Sequence, residues 1–310
     1  MSLTFLTIGW VLDDNEETIR SGSMGEEVTP ILLTKIKNEM ISDELPLDIN
    51  SRVDLWARRF ANDDKWGFEE ILSRSGIYFD MITAKIGERG MPKELIYLAM
   101  IESGFFPSAR SSASALGIWQ LMSSTAREYG LRIDSYVDER LDPVRSTDAA
   151  LDYLDFLYQR YGSWYLAAAA YNAGPTRVSR VLKRYAGGQF GEESLYWEII
   201  DHLPIETTHY VPKFIAATHI ARNSSEYGLQ ITDIDPYAYD VVWTPEKIRL
   251  KDVSEFLGVP EELMYELNPQ LIRGVTPPGE LYSLRIPVGE SNRLIAALGL
   301  NNRTLYRADD

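Results

Sequence analysis

Glu102 closes the run Tyr97-Leu98-Ala99-Met100-Ile101, which is too apolar for a solvent-facing helix. Gly104 follows two residues later, where glycine often ends a helix. A carboxylate at a helix C-terminus meets the negative end of the dipole. That end and the apolar surroundings both favour the protonated form and raise the pKa. A carboxyl group that keeps its proton near neutral pH can serve as a general acid, for example toward a glycosidic oxygen. By position alone, a satisfied and partly buried glutamate is the commoner case. Gln120 is the next residue of interest. It is polar within Leu116-Gly117-Ile118-Trp119-Gln120-Leu121-Met122, and a polar group in so apolar a loop needs a partner. Trp119 and Tyr171 read equally well as core aromatics. Asn172, just before Gly174-Pro175, reads equally well as a helix C-cap. Asp134, Asp138 and Glu139 sit in polar surroundings and read as a solvated face. His202, His209 and His219 do not form a metal-ligand pattern, so no metal is expected.

These residues must be positioned by helices. Val53, Trp56, Ala57 and Phe60 fall at helical spacing, and a longer amphipathic run is expected from Lys65 to Ile86, ended by Gly87 and Gly90. Pro92 suits a first helical position for the helix that carries Glu102. Ser123 or Ser124 can cap a short helix that stops at Gly130. Asp142-Pro143 turns the chain into a helix reaching about Tyr161. Trp164 to Asn172, Thr176 to Tyr185, Glu192 to His202 and Glu206 to Asn223 complete the set. No strand pattern appears between residues 50 and 223, so this part reads as all-α. Beyond Ile231 the order changes to a short strand at Val241 to Trp243, helices Lys251 to Leu257 and Pro260 to Leu267, and a closing strand Leu284 to Ile286. The domains expected are an extension at 1–44, a helical domain at 45–230, a linker at 231–239, a small α+β module at 240–289 and a tail at 290–310.

The totals narrow the partners. A net charge of −15 argues against nucleic acid and against leaning on anionic lipid. With 45% hydrophobic residues among 310, a large core can form. The absence of cysteine excludes disulfides, thiolate sites and a lipid-modified cysteine in this chain. Leu3 to Leu12 is about half of the ~20 apolar residues that a spanning helix needs, and it makes a poor signal peptide. Met1-Ser2-Leu3 reads as an added start, with the native beginning trimmed.

Four segments carry a resemblance. They are Glu102-Ser103-Gly104-Phe105-Phe106-Pro107 with Ser111; Ala115-Leu116-Gly117-Ile118-Trp119-Gln120-Leu121-Met122; Ala169-Ala170-Tyr171-Asn172-Ala173-Gly174; and Glu206-Thr207-Thr208-His209-Tyr210-Val211-Pro212-Lys213. In this order and spacing, over about residues 48 to 223, they resemble the goose-lysozyme-like soluble-lytic-transglycosylase domain. The likeness is to its membrane-bound D branch, where Trp replaces Met in the Gly-x-x-Gln element. The resemblance implies a lysozyme-like, mainly α catalytic domain acting on peptidoglycan. It implies Glu102 as the single catalytic carboxyl. Ser111, Gln120, Met122, Tyr171, Asn172 and Tyr210, with Ser103 and Trp119, would be substrate-binding. Asn172 would bond the N-acetyl sugar, and Tyr210 would close on Glu102.

Most glycosidases use two carboxylates. The resemblance implies a one-carboxyl reaction in which Glu102 protonates the oxygen between N-acetylmuramic acid (MurNAc) and N-acetylglucosamine (GlcNAc). Glu102 would then deprotonate the C6 hydroxyl, leaving a 1,6-anhydro end. Intramolecular attack gains from effective concentration, and the resemblance implies no organic cofactor. The alternatives are a goose-type hydrolase and a catalytically silent peptidoglycan-binding protein. Val241 to Pro287 resembles a divergent LysM module, through Leu267-Asn268-Pro269 and Leu284-Arg285-Ile286-Pro287. It departs from the pattern at Thr276-Pro277-Pro278-Gly279 and in its weak first strand. The resemblance further implies a periplasmic or cell-envelope location, with outer-membrane anchoring in the full-length protein. A monomer is expected.

Overall fold

The computed structural model describes residues 45–300, so the extension at 1–44 and the last ten residues lie outside the described part. The chain divides into two compact units. Among the described residues, the first comprises 45–76, 83–105 and 151–234; the second comprises 77–82, 106–150 and 235–300.

The first unit is helical. Asn50 caps α1 (Ser51–Arg58) by accepting from the amides of Arg52 and Val53, and the helix widens into a π turn over Arg59–Asp63. The run expected as one helix from Lys65 to Ile86 is two: α2 (Lys65–Ser75) and α3 (Phe79–Glu88), with a turn between them. The Gly76 N–H turns back to the Ser73 carbonyl, so the backbone breaks although apolar residues continue through Ile77 and Tyr78. A 3-10 turn (Lys93–Leu95) preceded by Pro92 leads into α4 (Ile96–Ser103), which ends at Gly104 in the left-handed region with φ 57°. Pro92 therefore stands one place before the helical residues, not at their head.

After α5 (Ser123–Glu128) in the second unit come α6 (Pro143–Tyr161), α7 (Trp164–Ala173), α8 (Pro175–Tyr185), α9 (Ser194–Ile199) and α10 (Ile205–Arg222). Neither Ser123 nor Ser124 caps α5; Met122 holds that place without a side-chain bond. The helix α10 buries residues on every side, as expected of a central helix, and packs against α1, α4 and α7. Arg222 near its end pairs at 3.0 Å with the buried Glu94 just before α4. No helix among the described residues is long and apolar enough to cross a membrane.

The second unit joins residues 106–150 to the C-terminal module. The module has the expected order: β1 (Asp240–Thr244), α11 (Leu250–Leu257), α12 (Glu261–Leu267) and β2 (Tyr282–Ile286). The strands pair antiparallel, with Val242 opposite Leu284. Residues 290–300, expected as tail, include α13 (Ser291–Ala297), whose Leu294 and Ile295 are buried in the module's core. The Thr276 side chain, in the segment that departs from the LysM pattern, is fully buried; it donates to the Glu246 carbonyl and accepts from the Ile248 amide.

Candidate active site

In the first unit, α4, α7 and α10 bring four sequence-selected residues together. Glu102 lies one residue from the end of α4, and the Tyr210 hydroxyl on α10 donates to its Oε1 at 2.6 Å. Burial raises the pKa of Tyr171 on α7 well above its usual value, and the Glu102 charge adds to that rise. The Asn172 amide is held at both ends: Nδ2 donates to Glu206 Oε1 at 3.0 Å, and Oδ1 accepts from Thr207 Oγ1 at 2.7 Å. Asn172 is thus a helical residue oriented by α10, and Gly174 takes the C-cap position instead. Ser103 is buried, and its hydroxyl donates to the Ala99 carbonyl at 3.3 Å, a local helix bond.

Glu102 carries a pKa raised to about 7. Burial is the main cause; the Tyr210 hydroxyl and the Lys213 ammonium oppose it, and the Glu206 carboxylate adds to it. The α4 dipole adds less than the place of Glu102 at a helix C-terminus suggests, because that end is met by cations. Lys213 Nζ donates to the Ile101 carbonyl at 3.2 Å, and Arg74 Nη1 donates to the Gly104 carbonyl at 2.7 Å. Desolvation, not the dipole, keeps this carboxyl protonated near neutrality. It can give a proton in one step and take one in the next.

Two charged groups here were not singled out in the sequence. Lys213 has its pKa lowered to about 8 by burial, with Glu102 and Glu206 pulling it up and Arg59 pushing it down. Its ammonium lies 5.6 Å from the centre of the Trp56 ring. Glu206 is exposed and is the second carboxylate that interacts with Glu102. The signal was present: Glu206, Tyr210 and Lys213 stand at i, i+4 and i+7, one face of a single helix. By contrast, Asp138 is committed to Arg140 at 2.7 Å and Asp134 to Arg132 at 2.6 Å.

The remaining selected residues belong to the second unit. Gln120 has φ 49°, unusual for a residue with a side chain, and its Nε2 donates to the carbonyls of Ala109 and Gly117 at 2.9 and 2.8 Å. These are the partners that its apolar loop demanded. Ser111 Oγ accepts from the Ala115 amide at 3.0 Å. Met122 is 43% exposed. Trp119 corrects the sequence reading of a substrate-binding indole. It is 0% exposed, and its Nε1–H donates to Thr147 Oγ1 at 2.8 Å, so it serves as a core anchor.

The pattern of the family described as Transglycosylase SLT domain matches residues 80–192, which include Glu102, Gln120 and Asn172. The pattern described as Lytic transglycosylase MltD, LysM-like domain, matches residues 238–302. The chain carries an SLT transglycosylase domain and an MltD-type LysM-like domain. Membrane-bound lytic murein transglycosylase D of Escherichia coli strain K12 is 36% identical over 223 residues, covering 71% of this chain and 48% of that protein. Soluble lytic murein transglycosylase of the same strain is 34% identical over 95 residues, 29% of this chain and 15% of that protein. The crystal structure of the 70 kDa soluble lytic transglycosylase SLT70 from Escherichia coli matches with a TM-score of 0.40 at 23% identity, over 58% of this chain and 32% of that one. The chain spans about half the length of the membrane-bound relative.

The Tyr210 hydroxyl favours the ionised form of Glu102. Removing a donor that favours the carboxylate raises the pKa of Glu102 further. Tyr210→Phe is therefore expected to move the alkaline fall in activity above the pH of about 7 set by Glu102, together with a loss of about tenfold or more in rate. A pH profile of kcat/KM checks the direction. An alkaline limb that stays or moves down would remove Tyr210 from this role.

Proposed function

We propose that this chain is a peptidoglycan lytic transglycosylase, cleaving the MurNAc-β-1,4-GlcNAc bond without water to leave 1,6-anhydroMurNAc ends. The observation that carries this reading is the half-buried Glu102 carboxyl within the SLT match, with its pKa raised to about 7 and its Oε1 accepting from Tyr210. Protonated Glu102 gives its proton to the glycosidic oxygen as the C1–O bond breaks. The positive charge at C1 is shared with the substrate's own N-acetyl group, and Asn172 is the side chain that meets that group. The Glu102 carboxylate then takes the proton of the C6 hydroxyl, whose oxygen closes on C1. Ring closure restores the acid, so one carboxyl completes the cycle. Ser111, Gln120 and Met122 are read as saccharide contacts. The two hydrogen bonds that Gln120 Nε2 donates, together with its left-handed backbone, support a fixed, preorganised role for it.

A second reading, a goose-type hydrolase, draws support from Glu206, an exposed carboxylate whose charge adds slightly to the rise in the Glu102 pKa and that could activate water. Mass spectrometry of products from purified sacculi separates the two. Anhydro ends, lighter by one water than reducing ends, are expected; reducing ends alone would replace the lyase by a hydrolase, and no release would mean a silent binder. The substrate implies action in the cell envelope, on the periplasmic side, and the LysM-like module is read as part of a cell-wall enzyme.

A further inference from the structure

The second unit contains an arrangement that its domain names do not anticipate. The segment after α5, part of the SLT match, runs into the core of the LysM-like module. Val137 is fully buried there with Val242, Leu250, Met264 and Leu284. It bridges Leu271, while the Asp138 amide donates to the Gln270 carbonyl and the Ile272 amide donates to the Tyr136 carbonyl. Beside this seam, Arg285 on β2 gives Nη2 to both oxygens of Asp142, at 2.9 and 2.8 Å, in a pair that is buried on both sides. Asn268 closes the support from within the module: its amide bonds the Arg285 backbone through both N–H and carbonyl.

Asp142 is no ordinary surface acid. Its Oδ1 accepts from the amides of Val144 and Arg145, so it caps α6. Thr147, in the first turns of that helix, holds the Trp119 indole. Arg140, two residues before Asp142, chelates Asp138 and sends Nη1 to the carbonyls of Ser114 and Leu121. The carbonyl of Arg140 also forms the wall against which Gly117 lies. Residues 114, 117, 119 and 121 surround Gln120, and all are fastened to a framework whose far anchor is Arg285.

We infer that the LysM-like module is a fixed support for the Gln120 loop, with Arg285 as the positioning residue, and not only a separate glycan tether. This rests on the reading of Gln120 as a saccharide contact. A free tether would need no SLT residue in its core and no buried ion pair to a helix cap of the SLT domain. Such a pair is costly to bury and strongly destabilising to break on one side, which suits a joint that must keep one register.

The test uses the full chain with Arg285→Lys, which keeps the charge but loses the planar guanidinium that serves Asp142 through Nη2 and the Tyr237 hydroxyl through Nη1, and Arg285→Met, which loses the charge as well. Hydrogen exchange is followed at the amides of Gly117, Gln120 and Leu121, which donate to Ala109, Gly117 and Leu116. Exchange there is expected to quicken by about tenfold or more in Arg285→Met, and by less in Arg285→Lys. On glycan strands KM should rise several-fold, while the alkaline limb set by Glu102 stays in place. Should Arg285→Met fail to fold, Arg285→Lys alone decides. Faster exchange confined to residues 240–297, with KM unchanged, would overturn the inference. A wild-type chain that releases no product would sink the transglycosylase reading, yet exchange would still judge the support.

Discussion

Glu102→Gln is expected to abolish release of anhydro-muropeptides from sacculi, with a loss of at least about 10³-fold. The substitution should leave the fold intact and make it more stable at alkaline pH. Glutamine has the same shape and its carbonyl still accepts from Tyr210, so the 2.6 Å contact survives in kind. What disappears is the ionisable proton. The stability effect follows from the raised pKa. The carboxyl ionises near 4.5 in the unfolded chain and near 7 in the folded one. Below both values it is protonated in both states and costs nothing. Between them the unfolded state loses its proton first, so stability falls as pH rises; above 7 the full cost is present. Glutamine removes that cost, so the variant should exceed the parent by about 1–2 kcal/mol at pH 8, allowing for partial exposure of the carboxyl and its retained bond. The gain should vanish toward pH 4. Denaturation at the two pH values, beside a product assay, checks both halves. Retained product release would remove Glu102 from the reaction.

The same residue shows how far sequence reasoning reached. An apolar run ended by a carboxyl and a glycine is a local pattern, and α4 with its left-handed Gly104 follows it closely. The β-α-α-β module was legible for the same reason, since each element has its own periodicity and its own Gly or Pro boundary. The source of the pKa shift was only half visible. Burial could be read from the apolar run, but the cations Lys213 and Arg74 that meet the helix end come from 30 or more residues away. The Asn172–Glu206 pair is likewise a long-range fact, although the motif types of both residues were conspicuous. Trp119 was misassigned because an indole in a groove and an indole in a core look identical in sequence. Only the Thr147 hydroxyl, 28 residues on, decides between them. Val137 shows the deepest limit. Nothing in Tyr136-Val137-Asp138 announces that its side chain completes the core of a module beginning a hundred residues later.

Gly117→Ala should cost about 3–5 kcal/mol of stability and take saccharide binding with it, because two penalties coincide at one atom. Gly117 has φ 86°, where an added Cβ costs about 1 kcal/mol through backbone strain alone. That Cβ would also sit 1.9 Å from the Arg140 carbonyl oxygen and 2.9 Å from its carbon. Neither atom is the end of a flexible side chain, so the backbone at Arg140 must move. Movement there strains the chelate with Asp138 and the bonds to Ser114 and Leu121, which together hold the loop around Gln120. Gly174 provides the control. Its φ of 84° is nearly the same, yet a Cβ there would meet nothing within 4 Å. With ψ at 140° the backbone there is one that glycine adopts almost alone, so Gly174→Ala should lose only that strain, about 1–3 kcal/mol. Unfolding midpoints of the two variants separate close approach from backbone conformation. Equal losses would show that the wall at Arg140 yields freely, and the loop would then lack the rigidity that a preorganised Gln120 requires.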